Sequence, residues 1–170
     1  QVLNQAEHII CNSQATARDI TDFYGIPAEK ITPILLAYEA NHFRKLDLSR
    51  EEKNGDRPYF LYLGRHDPYK NLHRLLEAFS LIPNCRDYQL WLAGPPDRRY
   101  TPKLQAQAEE LSLTDRVKFL DYVPHARLPA IVNRALALVF PTLWEGFGFP
   151  ALEAMGCGTP VITSILSSLP

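Results

Sequence analysis

What this sequence lacks narrows it before any motif does. It has no surplus of charge: 18 Lys and Arg stand against 19 Asp and Glu, for a net charge of −1. No general field therefore draws the chain to nucleic acid or anionic lipid, and any anion site must be local. Cysteine is scarce. Cys11, Cys85 and Cys157 are odd in number and far apart, which argues against a disulfide framework and fits reduced thiols in a cytoplasmic protein. No two of them have zinc-type spacing, and the five histidines (8, 42, 66, 73 and 125) form no ligand cluster. Each reads as structural or incidental. No apolar run approaches the ~18–20 residues of a membrane span, and the first residues show no charged-then-apolar leader. A soluble chain is expected. At 170 residues, 46% hydrophobic and 22% charged, it has an ordinary globular composition and the length of one domain of roughly 100–200 residues.

Short apolar runs alternate with amphipathic segments. His8–Cys11 reads as a buried strand, with Ser13 as N-cap of a helix over Gln14–Tyr24 that stops at Gly25. After the apolar run Ile31–Leu36, the polar stretch Arg44–Arg57 reads as a linker or exposed loop. Strands are expected at Tyr59–Leu63, Tyr88–Ala93, Val117–Leu120, Ala135–Phe140 and Pro160–Thr163. Helices are expected at Asn71–Ile82, Pro102–Leu111, Leu128–Arg134 and Pro150–Met155. Strands without polar alternation, separated by helices, predict a doubly wound α/β fold with a parallel, Rossmann-like sheet covered on both faces. Ligands of such folds sit outside the carboxyl ends of the strands, so the loops after Leu63, Ala93, Leu120 and Phe140 are the ones that matter.

The segment after Phe140 carries the most information. A strand runs through Glu145-Gly146-Phe147-Gly148-Phe149 into a helix with Pro150 near its first position and Glu153 one turn on. Free N–H groups and the dipole of such a helix start attract an anion. The two glutamates supply acceptors for sugar hydroxyls, which are O–H donors. Gly146, Gly148 and Ala151 also match the dinucleotide fingerprint, but the acid that fingerprint needs ~20 residues on is missing from Ile165-Leu166-Ser167-Ser168. A cation at Lys70, beside a predicted helix start, is locally unfavourable, and that misfit points to an anionic ligand. Arg65, at the end of a strand, is a second candidate cation. Trp91 and Trp144 read as packing residues, Trp144 also as a wall of a sugar pocket.

With its seven-residue spacing and the following Ala154-Met155-Gly156-Cys157-Gly158-Thr159-Pro160, the Glu145–Glu153 pair resembles the family-4 retaining glycosyltransferases of GT-B fold. Gly64-Arg65 with Lys70-Asn71 resembles the loop with which that family grips a diphosphate, and Phe119–Val123 its base-binding turn. The resemblance implies that residues 1–45 are the end of an N-terminal domain and interdomain segment, 46–57 a linker, and 58–170 the C-terminal donor-binding domain, cut short. Where the family has Asn-Gly-Val-Asp, this chain has Leu36–Phe43 of different sequence.

The resemblance also implies roles. Glu145 would hold donor-sugar hydroxyls, with the backbone of Phe147, Gly148 and Phe149 facing the sugar and the N–H of Leu152 facing a phosphate. Glu153 would accept from the ribose, Tyr122 and Val123 would meet the base, and Arg65 and Lys70 would neutralise the diphosphate. His66 and Asp67 are set aside. The sequence has no Asp-x-Asp motif, so no metal or other cofactor is expected. The donor would be a UDP- or GDP-sugar and the acceptor a glycan or lipid held by a missing N-terminal domain, with peripheral membrane contact of the longer protein. Alternatives are a GT-B-fold epimerase or phosphorylase, or a non-catalytic nucleotide-binding module.

Overall fold

The computed structural model describes residues 2–48 and 57–169, with the side chain of Cys85 left out. Most of the linker expected at 46–57 lies outside the described residues.

The chain opens with α1 (Val2–Gln5), β1 (Ile9–Cys11), α2 (Gln14–Tyr24) and β2 (Ile31–Pro33). β1 and β2 pair in parallel, Ile9 opposite Ile31. The ends of α2 fall where local chemistry dictates. Ser13 Oγ accepts from the Thr16 N–H at 3.1 Å, and Gly25, at φ 66°, donates its N–H to the carbonyl of Thr21.

The larger sheet contains β3 (Tyr59–Leu63), β4 (Gln89–Ala93), β5 (Val117–Leu120), β6 (Ala137–Phe140) and β7 (Val161–Thr163). They are connected through α3 (Leu72–Ser80), α4 (Thr101–Glu110), α5 (Leu128–Arg134) and α6 (Phe149–Gly156). The strand order is β5-β4-β3-β6-β7, and every pairing is parallel. The expected doubly wound class is the observed one. Leu61, Leu76, Leu90, Leu92 and Leu138 are fully buried within one core, each stabilising the fold by about 1.5–3 kcal/mol.

From β3 the chain builds outward to β4 and β5, then returns to β3's other side with β6. The reversal parts the loops after β3 and β6, which is where open α/β sheets bind ligands. Lys70 and Glu145 lie on these two loops. Tyr59 and Trp91 stack at 3.8 Å on neighbouring strands, so Trp91 packs as expected. Trp144 does not: it follows the end of β6 on a loop that turns outward, and it is 56% exposed.

Candidate functional site

Two loops are bound together at the strand reversal. In the loop after β3, Asp67 starts a short 3-10 turn, Pro68–Lys70, and Asn71 adopts φ 62° before α3 begins. In the loop after β6, the Leu143 N–H donates to the carbonyl of Tyr69 at 2.8 Å, and Asn71 Nδ2 donates to the carbonyl of Pro141 at 3.2 Å. Lys70 Nζ is hydrogen-bonded to Glu145 Oε1 in an ion pair with little solvent contact. The cation placed beside a helix start at Lys70, read in the sequence as a sign of an anionic ligand, thus has a carboxylate partner within the chain. The anion beside Lys70 is the chain's own Glu145. The backbone of Glu145 is held too, its carbonyl accepting from Ser167 Oγ at 2.7 Å and Ser168 Oγ at 2.9 Å. Tyr62 lies buried beneath, its hydroxyl donating to the Arg65 carbonyl at 2.7 Å. Burial, and then the Glu145 carboxylate, push its phenol well above its ordinary pKa.

α6 starts one turn beyond. Gly148 forms its N-cap at φ 97°, and no side chain caps the helix. Pro150 has no N–H, and the Ala151 N–H donates to the Gly148 carbonyl at 3.0 Å. The N–H groups the helix itself leaves to a ligand are therefore those of Gly148 and Phe149. A Cβ at Gly148 would meet Leu169 Cδ2 at 2.6 Å. Phe147 and Phe149 stand with ring centroids 5.1 Å apart. Phe147, Gly148 and Leu152 line a cleft of about 680 Å³ that also reaches Arg18 and Leu36.

Glu153 faces a second cleft, of about 220 Å³, at the carboxyl ends of β3, β4 and β5. It is lined by Leu63, Gly64, Ala93, Gly94, Pro95, Tyr122, Val123, Leu128, Pro150 and Glu153. Gly64 and Gly94 meet there at the ends of β3 and β4, where a Cβ on Gly94 would fall 2.0 Å from the Gly64 carbonyl oxygen. Burial raises the Glu153 carboxyl above its ordinary pKa, while His125 and His42 pull it back down. The cleft thus brings Glu153 together with Tyr122 and Val123.

Arg65 stands apart from this. Its side chain is 65% exposed, with Nε 3.2 Å from an Asp67 carboxylate oxygen. His66, set aside in the sequence, is buried and its Nε2 has no partner. The Thr101 hydroxyl accepts from the Asp97 N–H at 2.9 Å and meets His66 Nδ1 at 2.8 Å. The Thr101 hydroxyl thereby ties His66 to the loop that starts α4. Burial lowers the His66 pKa. Sequence reasoning also missed the contact of His42 with His125, 83 residues apart, and no local pattern announces it.

Cys11 and Cys157 are free and buried, and burial pushes the Cys157 thiol up to about 11. Among the described residues no group of His, Cys, Asp and Glu is arranged to hold a metal ion, and no helix is long and apolar enough to cross a membrane.

Comparison with known proteins bears on family and fold. Residues 43–170 match the family model described as glycosyl transferases group 1. The chain is 32% identical over 176 residues to O-antigen chain mannosyltransferase B of Escherichia coli, covering 99% of this chain and 46% of that protein. Sucrose-phosphate synthase of Thermosynechococcus elongatus superposes with a TM-score of 0.84 at 29% identity, over 96% of this chain and 42% of that one. The Anabaena protein HepE, solved in complex with UDP and glucose, has the same fold, with a TM-score of 0.84 at 24% identity, over 96% of this chain and 46% of that one. The chain thus spans about half the length of the relatives it matches, and it belongs to the group 1 glycosyl transferases, the family-4 glycosyltransferases of GT-B fold.

Proposed function

We propose that the full-length protein is a retaining hexosyltransferase and that this chain supplies its donor site, residues 58–170 forming the nucleotide-sugar half. The single observation that carries the reading is the division of labour along α6. Its N-terminus, without a side-chain cap, lies between Glu145, held by Lys70, and Glu153, which faces a cleft lined in part by Gly64 and Gly94. The nucleoside occupies that cleft, with its ribose hydroxyls on Glu153 and its base on the backbone at Tyr122 and Val123. The diphosphate rests on the helix start near the Leu152 N–H, neutralised by Lys70 and by Arg65 swung in from solvent. The sugar lies against Phe147, Gly148 and Phe149, with hydroxyls on Glu145.

Charge that builds on the departing nucleoside diphosphate meets fixed dipoles and cations, which stabilise the transition state electrostatically. The leaving phosphate oxygen takes the acceptor proton as the new glycosidic bond forms on the same face, retaining the anomeric configuration. The donor is a UDP- or GDP-hexose. Similarity to an O-antigen mannosyltransferase supports mannose. The acceptor, a glycan or lipid-linked saccharide, is held by the part of the protein outside this chain.

Titration of the full-length protein with UDP-glucose, GDP-mannose and an ADP-sugar, followed by NMR of the product anomer, tests the reading. Binding of one donor and a retained anomer are expected. An inverted anomer, or a changed nucleotide-sugar released without acceptor, rules it out. Within the site, Glu145→Ala should weaken recognition of the nucleotide-sugar over the bare diphosphate, whereas Glu153→Ala should weaken both.

A further inference from the structure

Segment 38–46 runs between the two walls of the nucleoside cleft and is fastened to each. At α6 it lies directly on Gly156, where a Cβ would strike the Tyr38 ring and the Phe43 carbonyl. Gly156 is one turn beyond Glu153. At α5, Asn133 donates to the carbonyl of Arg44 at 3.0 Å and accepts from the Leu46 N–H at 2.8 Å. Between these points His42 reaches the loop after β5.

The contact there is specific. The His42 and His125 rings stack at 4.1 Å and 10°, and buried Phe43 sets its ring edge against both, at 4.9 Å and 5.5 Å. His42 Nε2 lies 2.9 Å from the His125 carbonyl oxygen. A carbonyl only accepts, so Nε2 carries the hydrogen and donates. Glu39 adds a carboxylate 3.8 Å from His125 Nε2. The loop gains little from burial, since Tyr122, Pro124, His125, Ala126 and Arg127 are all exposed. A hydrogen bond to its backbone is therefore a main constraint on where Val123 and Tyr122 stand.

We infer that His42 is a positioning residue for the nucleoside: through the stack and the bond to the His125 carbonyl it holds the Tyr122–Val123 turn over the cleft opposite Glu153. It sets nucleoside affinity without touching the nucleotide. The inference rests on the donor-site reading above. It gives segment 38–46 a function although its sequence departs from the family pattern.

The test uses the full-length protein, titrated calorimetrically with UDP, GDP and inorganic pyrophosphate. His42→Phe keeps the ring and its packing but removes the donor. His42→Gln restores an N–H near the position of Nε2. Loss of one such bond predicts that His42→Phe weakens whichever of UDP or GDP the parent binds by about threefold to tenfold. Pyrophosphate, which does not reach the turn, should bind as in the parent, and His42→Gln should recover most of the nucleotide affinity. Unchanged nucleotide binding in His42→Phe overturns the inference alone, as does an equal loss for pyrophosphate or a failure of His42→Gln to recover. If the parent binds neither UDP nor GDP, the donor-site reading fails and this inference falls with it.

Discussion

Lys70 and Glu145, 75 residues apart, meet as an ion pair whose side chains keep only 10% and 14% of their solvent exposure. The pair bridges the two loops that flank the strand reversal. Its contribution is best seen by breaking it from one side, because that leaves the partner charge desolvated and alone. Lys70→Ala and Glu145→Ala should each lower stability by roughly 3 kcal/mol, measured by urea unfolding of the unliganded protein. The double variant Lys70→Met/Glu145→Leu removes both charges together and should lose less than the sum of the single losses. Additive losses would show that the two groups act independently.

Glu153 sets stability against binding. Burial raises its folded pKa, the His125 and His42 charges acting in the opposite direction. A carboxyl with a raised folded pKa binds its proton more tightly in the folded than in the unfolded state. The stability this confers is complete at low pH and is lost as pH rises through the unfolded and then the folded value. At neutral pH the ionised group is therefore a net cost to the empty protein. Glu153→Gln should raise the melting temperature at pH 7.5, and the gain should shrink toward zero below the ordinary carboxylate range. The same change should weaken nucleoside diphosphate binding by about tenfold, as expected for loss of a charge-assisted hydrogen bond to ribose. Melting curves at several pH values and a calorimetric titration measure the two effects.

Elements whose limits are set by local chemistry were legible in the sequence. α2 begins and ends where Ser13 and Gly25 predict, because a cap needs only its neighbours. β6 begins at Ala137 instead of Ala135, since Ala135 still closes α5 by donating its N–H to the Val132 carbonyl. The Glu145–Glu153 spacing and the glycine-bearing helix start were readable for the same local reason. Long-range pairings were not. The poor fit of Lys70 beside a helix start was visible, but its partner was not, because the strand reversal that joins them is a property of the whole sheet. The His42–His125 stack depends on segment 38–46 crossing between α6 and the loop after β5, and no periodicity records such a crossing. His66, between Arg65 and Asp67, was set aside in the sequence because nothing local gave it a partner. It is buried because the chain turns inward beneath Thr101.

The Glu153 cleft depends on Gly94. It has φ 150°, and a Cβ there would overlap the carbonyl of Gly64 on the next strand. That neighbour is backbone and cannot rotate away. Gly94→Ala should destabilise the protein by about 2–3 kcal/mol through overpacking and strained backbone, and should push apart the ends of β3 and β4. Nucleoside diphosphate affinity should fall with it, while Gly25→Ala, strained at φ 66° but with nothing within 4 Å of its Cβ, should lose stability and leave affinity unchanged. Unfolding and titration of the two variants side by side separate the effects.

His66 makes a prediction about acid. Buried and neutral, it has a folded pKa below its ordinary value, desolvation outweighing the opposing carboxylates of Asp121, Asp67 and Asp97. Between the lowered folded value and the ordinary value near 6.5, the unfolded chain holds more protons than the folded one. Stability therefore falls as pH drops through that window and is fully present above it. The structural reason is burial: a second proton would charge a ring that is closed off from water and whose Nε2 has no partner. His66→Gln, which offers an amide in place of the imidazole and does not titrate, should lack this component: its stability should change less than the parent's between pH 7 and pH 5. Urea unfolding at both pH values measures the difference, and equal pH dependence in parent and variant would remove His66 from the acid response.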